Sequence, residues 1–180
     1  MKYFKKIEGE QVYLSPMNMD DILTNVKWMN DFNITDKIAS STKQITIETE
    51  TNWLDKTLKS GDYEFAIIRK SDDKLIGNCG FSDIKWIHQS AEVGIFIGEI
   101  ENRSKGYGSE ALKLLISYGF NYLNFNNIML KVFSFNDHAI NVYKKVGFNE
   151  FGRRKKSYYL KGKWYDDIYM EILREDFFKD

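Results

Sequence analysis

The sequence has little of what marks secreted, multidomain or membrane proteins. Its single cysteine, Cys79, excludes an internal disulfide framework and indicates a reducing compartment. Its single proline and twelve scattered glycines provide no Pro/Gly/Ser-rich linker between domains. No stretch approaches the roughly 18 apolar residues of a membrane span, and the polar start lacks the apolar core of a signal peptide. We therefore predict a cytoplasmic protein with no membrane partner.

An excess of charge of either sign is also missing. The 26 basic residues balance the 26 acidic residues, and the sequence pI is about 6.8. This balance removes the overall positive field that is typical of proteins that bind nucleic acids, so we predict no nucleic-acid partner. The basic run Arg153–Lys156 is interpreted as a solvated loop that leads into the last hairpin.

What the chain does have is a clear sequence of periodic segments. With 180 residues and 43% apolar composition it is expected to form one domain over residues 1–180. Alternating and helical patterns predict the order β, α, α, β, β, β, α, β, α, β, β, which is a mixed α/β fold. The predicted strands are 11–15, 63–69, 75–84, 91–98 and 127–134, with a hairpin over 157–173. A first helix is predicted to begin near residue 20, and three further helices are predicted over 47–59, 109–123 and 138–146.

The segment before the strongest predicted helix has the composition of an anion site. Gly106 and Gly108 let the backbone approach a ligand closely, and the helix N-terminus behind them adds partial positive charge. Arg103 and Lys105 add formal charge beside the turn. The alternative is that the two glycines only form a tight connection between a strand and a helix.

Two familiar phosphate-binding motifs partly resemble this turn. A Walker loop is excluded because Gly108 is followed by Ser109-Glu110 and not by Lys-Ser or Lys-Thr. Gly106-x-Gly108-x-x-Ala111 formally satisfies the dinucleotide fingerprint. However, polar residues separate it from the preceding strand, and no acidic residue ends the next strand. A nicotinamide-dependent oxidoreductase therefore stays a weaker alternative.

Three motifs in order along the chain resemble the GNAT acetyltransferase superfamily, in particular its branch of ribosomal-protein-alanine and polyamine N-acetyltransferases. They are Ala91–Ile97, the run Arg103-x-x-Gly106-x-Gly108, and Asn136 followed by Tyr143-Lys144-Lys145-x-Gly147-Phe148. The resemblance covers nearly the whole chain. It implies a mixed, mostly antiparallel central sheet with flanking helices and a splayed central pair of strands.

The resemblance also implies acetyl-CoA as acetyl donor and a set of residues that hold it. Backbone amides of the turn would bind the pyrophosphate, and the main chain of the strand before it would pair with the pantetheine arm, with Asn136 as a further contact. The implied residues are Ile95, Phe96, Ile97, Arg103, Ser104, Lys105, Gly106, Tyr107, Gly108, Ser109 and Asn136.

For the chemistry, Tyr143 holds the position of the family's general acid, since a phenol can protonate a departing thiolate while it stays neutral at pH 7. Its alternative role is core packing on a short helix. Glu92 is the candidate base, because a carboxylate on an otherwise apolar strand is expected to have a raised pKa, although it would be solvated at a strand mouth. Gly94 lies where the family strand bulges, or it admits a bulky neighbour.

These features predict an N-acetyltransferase that transfers acetyl directly to a primary amine of a small molecule or peptide in a ternary complex. Cys79 is interpreted as packing, no metal-ligand spacing is present, and a homodimer is an option. Asp31 either attracts the amine or caps the chain. The competing hypothesis is a non-catalytic acetyl-CoA sensor on the same fold.

Overall fold

The computed structural model describes residues 2–179. Within them eight strands and six α-helices are formed, with 3₁₀ turns at Met19–Asp21 and Ile100–Asn102. The strands are β1 (Ile7–Glu8), β2 (Val12–Pro16), β3 (Glu64–Arg69), β4 (Lys74–Lys85), β5 (Ser90–Ile97), β6 (Asn127–Phe133), β7 (Asn149–Leu160) and β8 (Lys163–Leu173). The helices are α1 (Ile22–Met29), α2 (Phe32–Thr35), α3 (Ile47–Ser60), α4 (Tyr107–Tyr122), α5 (Asp137–Val146) and α6 (Arg174–Phe177).

The chain divides into two compact units, and the first consists of residues 2–81 and 95–115. Its strands β1 to β4 pair in sequence order and are antiparallel throughout, with an irregular register between Ile67 and Ile68. Apolar side chains of β2, β3 and β4 pack against Trp28 of α1. This core contains Tyr3, Tyr13, Trp28, Ile34, Ala66, Ile68 and Leu75. Helix α1 contributes Ile22, Asn25 and Trp28 at helical spacing, so one polar residue lies on its buried stripe.

The second unit consists of residues 82–94 and 116–179. Here β6 pairs in parallel with the start of β5 and antiparallel with β8, which forms a long hairpin with β7. The parallel register joins Ser90, Ala91 and Glu92 to Asn127–Met129. In the part of the chain that the structure describes this pairing ends at Glu92, although both strands continue. The predicted splay of the central strand pair is therefore confirmed.

Local sequence signals explain where the longer helices begin and end. Thr46 and Thr49 form a reciprocal capping box at the start of α3, and Gly61 ends that helix with φ of 71°. Asn136 accepts a hydrogen bond from the Ala139 amide at the start of α5, and Gly147 ends α5 with φ of 116°. These stops agree with the predicted helix ends.

Some predictions of secondary structure were incomplete or wrong. The short elements β1, α2 and α6 were missed, and α4 begins at Tyr107 and not at Ser109. The basic run Arg153–Lys156 is part of strand β7 and not a loop, because it pairs with β8 around a register shift between Arg154 and Tyr158. No helix within residues 2–179 is long and apolar enough to span a bilayer.

Candidate active site

The turn before α4 contains two residues in left-handed backbone conformations. Ser104 and Gly106 both adopt left-handed conformations, with φ of 60° and 87°, while Arg103 between the 3₁₀ turn and Ser104 is extended. Left-handed residues in a turn are a feature of the backbone concavities that bind anions. The carbonyl oxygen of Gly106 accepts the first helical hydrogen bond, from the Glu110 amide at 3.0 Å.

The start of α4 leaves donors that the protein does not use. The first N–H groups of a helix have no intrahelical acceptor, and here they belong to Gly106, Tyr107, Gly108 and Ser109. Among residues 2–179 no acceptor is placed on them. With the helix dipole behind, these donors fit a phosphate oxygen, as acetyl-CoA would require.

Side chains from distant strands hold the turn in place. Arg69 at the end of β3 donates through Nη1 to Oδ1 of Asn102 at 2.6 Å and pairs with both carboxylate oxygens of Asp72. The pairing with Asp72 raises the pKa of Arg69 and lowers the pKa of Asp72. Asn102 is buried, and its Nδ2 atom has no acceptor among the described residues. Sequence reasoning missed this support, because Arg69 lies 33 residues before Asn102.

Glu110, in the first turn of α4, ties the helix to the turn between β1 and β2. Its Oε1 accepts from the amides of Gln11 at 2.9 Å and Val12 at 3.3 Å, and its Oε2 accepts from Gln11 Nε2 at 3.1 Å. A Cβ at Gly9 would meet this carboxylate, so a larger residue there would displace the Glu110 side chain. The contact fixes the position of the N-terminal end of α4.

The predicted donor strand lies beside this turn in the same unit. Arg103 donates from Nε to the carbonyl of Ile97 at 3.2 Å and from Nη2 to that of Gly98 at 2.7 Å. The guanidinium thus secures the turn to the end of β5, in addition to the flanking charge predicted for it. Phe96 packs edge-on against Trp28 with ring centroids 5.8 Å apart. The half-buried Ile95–Ile97 segment and the turn are therefore brought together.

Lys105 and Ser104 complete the turn on its solvent side. Both are exposed, and no ion pair to Lys105 is formed within residues 2–179. Its ammonium group is thus available to an anion at the turn.

Two further predicted residues lie in the second unit, on α5. The Oδ1 atom of Asn136 is used as a helix cap at 3.4 Å from the Ala139 amide, which leaves its Nδ2 group as the donor for a ligand. Tyr143 is half-buried and packs edge-on against Phe148, with ring centroids 6.0 Å apart. Burial raises the pKa of Tyr143 to about 12. The phenol hydroxyl has no hydrogen-bond partner within the described chain. The position of Tyr143 therefore fits both roles predicted for it, core packing and general acid.

Glu92 also belongs to the second unit. It is half-buried between the buried Ala91 and Val93, whose side chains point to the opposite face of β5. Gly94 follows just after the pairing with β6 ends, and a Cβ there would meet open space. The alternative that Gly94 admits a bulky neighbour is therefore wrong, whereas a strand that bends away at this point agrees with its exposure.

One ionisable residue of the first unit was missed by sequence reasoning. Burial, with a smaller contribution from the negative charge of Asp62, raises the pKa of Glu64 to about 7. Glu64 begins β3 and lies opposite Gly80, where any Cβ would overlap its carboxylate. No local pattern distinguishes this glutamate from a solvated residue at a strand end.

The remaining candidates have structural roles. Cys79 is buried in β4, and burial raises the pKa of its thiol well above the usual range, which suits packing and not nucleophilic chemistry. Asp31 caps α2 by accepting from the Asn33 amide at 2.8 Å. Within residues 2–179 no group of three His, Cys, Asp or Glu side chains is placed to hold a metal ion.

Comparison with known protein families identifies the family to which this site belongs. The model of the acetyltransferase (GNAT) domain matches residues 14–169. The chain belongs to the GNAT acetyltransferase family. This GNAT enzyme is an N-acetyltransferase that uses acetyl-CoA as donor, so the predicted fold, reaction and donor are confirmed, and the comparisons give no support to a non-catalytic sensor.

Several relatives of this GNAT enzyme carry informative names. It is 28% identical over 178 residues to the "Probable N-acetyltransferase YjcK" of Bacillus subtilis, which covers 94% of this chain and 98% of that protein. It is 30% identical over 111 residues to the spermidine N(1)-acetyltransferase of Vibrio cholerae, with coverage of 62% and 64%. The crystal structure of spermidine N-acetyltransferase from Vibrio cholerae in complex with CoA and spermine superposes with a TM-score of 0.86 at 24% identity, over 95% of this chain and 100% of that chain.

Proposed function

We propose that this enzyme acetylates a primary amine of a small molecule with more than one basic nitrogen, a polyamine being the first acceptor to test. The observation that carries the proposal is the set of unused N–H donors from Gly106 to Ser109, beside the strand segment Ile95–Ile97. The relatives named as spermidine acetyltransferases support the acceptor class. A protein N-terminus, an amino sugar and an antibiotic are the other acceptors to include.

The donor is held by main-chain groups in this proposal. Acetyl-CoA supplies the acetyl group as a reactive thioester. The amides of Gly106–Ser109 and the ammonium of Lys105 bind its pyrophosphate, and Arg103 fixes the turn through the carbonyls of Ile97 and Gly98. The main chain of Ile95–Ile97 pairs with the pantetheine arm, and Nδ2 of Asn136 is a further donor.

Three proton transfers accompany the direct transfer of acetyl to the amine. Glu92 accepts the proton that the ammonium group must lose, because the attacking amine has to be neutral. Tyr143 donates its hydroxyl proton to the departing sulfur as the C–S bond breaks. The proton that the new C–N bond leaves on nitrogen then returns to the Tyr143 oxygen. Its raised pKa of about 12 keeps the phenol protonated over the whole physiological range, as a general acid requires.

A thiol-release assay with acetyl-CoA across a panel of amines tests this function. We expect turnover with polyamines and a loss of about 10²-fold in kcat or more for Tyr143→Phe, since general acid catalysis typically contributes this much. Val142→Ala, a half-buried neighbour on the same helix, serves as the matched control. Wild-type rates in Tyr143→Phe would remove the acid role, and absence of release with every amine would overturn the proposed function.

The cytoplasmic location, the single domain over residues 1–180, the homodimer and the absence of nucleic-acid and membrane partners stay predictions. Light scattering after gel filtration tests the oligomeric state directly.

A further inference from the structure

A small polar cluster lies on the α1 side of the first unit, outside the residues assigned above. Glu64 lies opposite Gly80, and Ala66 opposite Asn78, in the antiparallel β3–β4 register. Opposite residues share a face, and so do residues two apart on one strand. Glu64 and Asn78 are therefore diagonal neighbours on one face. Asn25 of α1 covers that face, because its Oδ1 accepts from Asn78 Nδ2 at 3.2 Å.

The two amides of this amide cluster, defined as Glu64, Asn78 and Asn25, are incompletely paired. Asn25 is 1% exposed and Asn78 is 9% exposed. The Nδ2 atom of Asn25 and the Oδ1 atom of Asn78 have no partner among residues 2–179. Reversing both amides leaves the same result, one free acceptor and one free donor. Buried amides normally pair such groups with protein or ordered water, so the cluster offers one free acceptor, Asn78 Oδ1, and one free donor, Asn25 Nδ2, to a polar group.

The acceptors of the cluster, Asn78 Oδ1 and the Glu64 carboxylate, favour a cation. A carbonyl oxygen and a carboxylate both accept hydrogen bonds, which an ammonium group donates in several directions. Gly80 provides no side chain, and the carboxylate of Glu64 occupies that place beside Asn78. Exposure rises from Asn25 through Asn78 to the half-buried Glu64, so the carboxylate is the outermost member.

The cluster also lies next to the donor strand. Gly77, which precedes Asn78 on β4, packs so tightly against the carbonyl of Phe96 that a Cβ at Gly77 would overlap it. The Gly98 amide donates to the Ile76 carbonyl at 2.9 Å on the same pair of strands. Phe96 belongs to the segment proposed to pair with pantetheine. A cation on the amide cluster therefore lies one strand away from the donor arm.

We propose that Glu64, Asn78 and Asn25 form a recognition subsite for a second, non-reacting ammonium group of the acceptor. This inference rests on the proposed function and names the residues that select a polyamine over a monoamine. Glu64 supplies the opposite charge, and the free amide oxygen supplies the directed hydrogen bond. The amine that reacts is a different nitrogen of the same molecule.

Protonation of Glu64 couples this recognition to pH. The nearby ionisable groups are Asp62 and the thiol of Cys79, which both interact with Glu64 electrostatically. On α1, the ammonium of Lys27 is paired with Glu99. Asp21, which precedes α1, is paired with Lys2. Glu50 of α3 is buried. None of these adds a positive charge that competes for Glu64. Affinity for a dication should therefore rise between pH 6 and pH 8 as the carboxyl ionises.

The test compares spermidine with 1-aminobutane as acceptors of wild type and Glu64→Gln. We expect the KM for spermidine at pH 8 to rise about tenfold or more, because one partner of a charge pair is lost. The kcat and the KM for 1-aminobutane should not change. Glu48→Gln, an exposed glutamate in the first turn of α3, is the matched control.

Calorimetric binding of spermidine gives a readout that needs no turnover. Wild type should bind more tightly at pH 8 than at pH 6, and Glu64→Gln should bind weakly and equally at both. An equal rise in KM for both amines, or wild-type affinity in Glu64→Gln, would overturn the subsite. Failure of wild type to acetylate any amine, with pH-dependent spermidine binding intact, would overturn the proposed function and leave the subsite standing.

Discussion

The turn Ser104–Ser109 and the amide cluster offer two contrasting ways to bind a charged group. The turn uses main-chain N–H groups that carry no ionisable proton, and it is open to solvent on the side of Ser104 and Lys105. The amide cluster uses side chains, two of them buried, and a carboxyl that titrates near neutrality. Binding at the turn should therefore depend little on pH between 6 and 8, whereas binding at the cluster should depend on it strongly.

The two regions also differ in what holds them. The turn is braced from outside by Arg69, Asn102 and Glu110, all through charged or directed hydrogen bonds. The amide cluster is enclosed by packing between α1 and the sheet and retains unpaired polar atoms. Substitutions should accordingly weaken the turn by removing supports, and should stabilise the cluster by removing its buried charge.

The largest expected effect is a gain in stability at the cluster. The pKa of Glu64 is raised from 4.5 to about 7, so the unfolded carboxyl ionises first as the pH increases. The wild-type protein therefore has its full free energy of unfolding, as far as Glu64 is concerned, below pH 4.5. It loses part of that free energy as the pH rises from 4.5 to 7. Glu64→Gln should be about 3 kcal/mol more stable than wild type at pH 8, given about 1.4 kcal/mol per pKa unit.

Urea unfolding at pH 5 and pH 8 measures this difference, with Glu48→Gln as control. If the difference in free energy of unfolding between Glu64→Gln and wild type is the same at both pH values, Glu64 is not buried in the way described.

A smaller loss is expected when the support of the turn is removed. Glu110→Ala leaves the amides of Gln11 and Val12 without their carboxylate acceptor. We expect a loss of about 2 kcal/mol in the free energy of unfolding, typical of hydrogen bonds to a charged group. The KM for acetyl-CoA should rise as α4 loses its anchor.

Glu10→Ala is the matched control, since Glu10 is exposed in the same β1–β2 turn. The idea of an external brace fails if the two variants unfold at the same denaturant concentration and have the same KM for acetyl-CoA.

The smallest effect distinguishes the two glycines of the turn. Gly106 has φ of 87°, so Gly106→Ala should cost about 1 kcal/mol in stability. Gly108 lies within α4, and its Cβ would sit at an ordinary 3.5 Å from Ile97. Gly108→Ala should therefore stabilise the free protein by about 0.5 kcal/mol. Thermal unfolding should show a lower Tm for Gly106→Ala and a higher Tm for Gly108→Ala than for wild type. Equal shifts in Tm would contradict the left-handed conformation of Gly106 and the helical conformation of Gly108.

Local patterns in the sequence were enough to predict the turn and most elements. The helix stops at Gly61 and Gly147, the turn before α4 and the final hairpin around Lys161-Gly162 all depend on residues close together in the chain. The start of α4 was placed two residues late, because Tyr107 and Gly108 were taken as part of the turn.

The amide cluster and the braces of the turn were beyond sequence reasoning. Asn25 and Asn78 are 53 residues apart, and each alone is an ordinary polar residue in a helix or a strand. Glu64 becomes distinctive only through the register that places it over Gly80. Such sites are defined by strand pairing and helix packing, so their members carry no shared local pattern.

The bond between Glu110 and the Gln11–Val12 backbone joins residues 99 and 98 positions apart. During synthesis the first hairpin leaves the ribosome long before the carboxylate that fastens it. Contacts of such long sequence separation form late in folding, because the intervening chain must first be closed into a loop. A nascent chain stopped before residue 110 should consequently carry a loose amino-terminal hairpin, and the anchored start of α4 can form only after that residue has been synthesised.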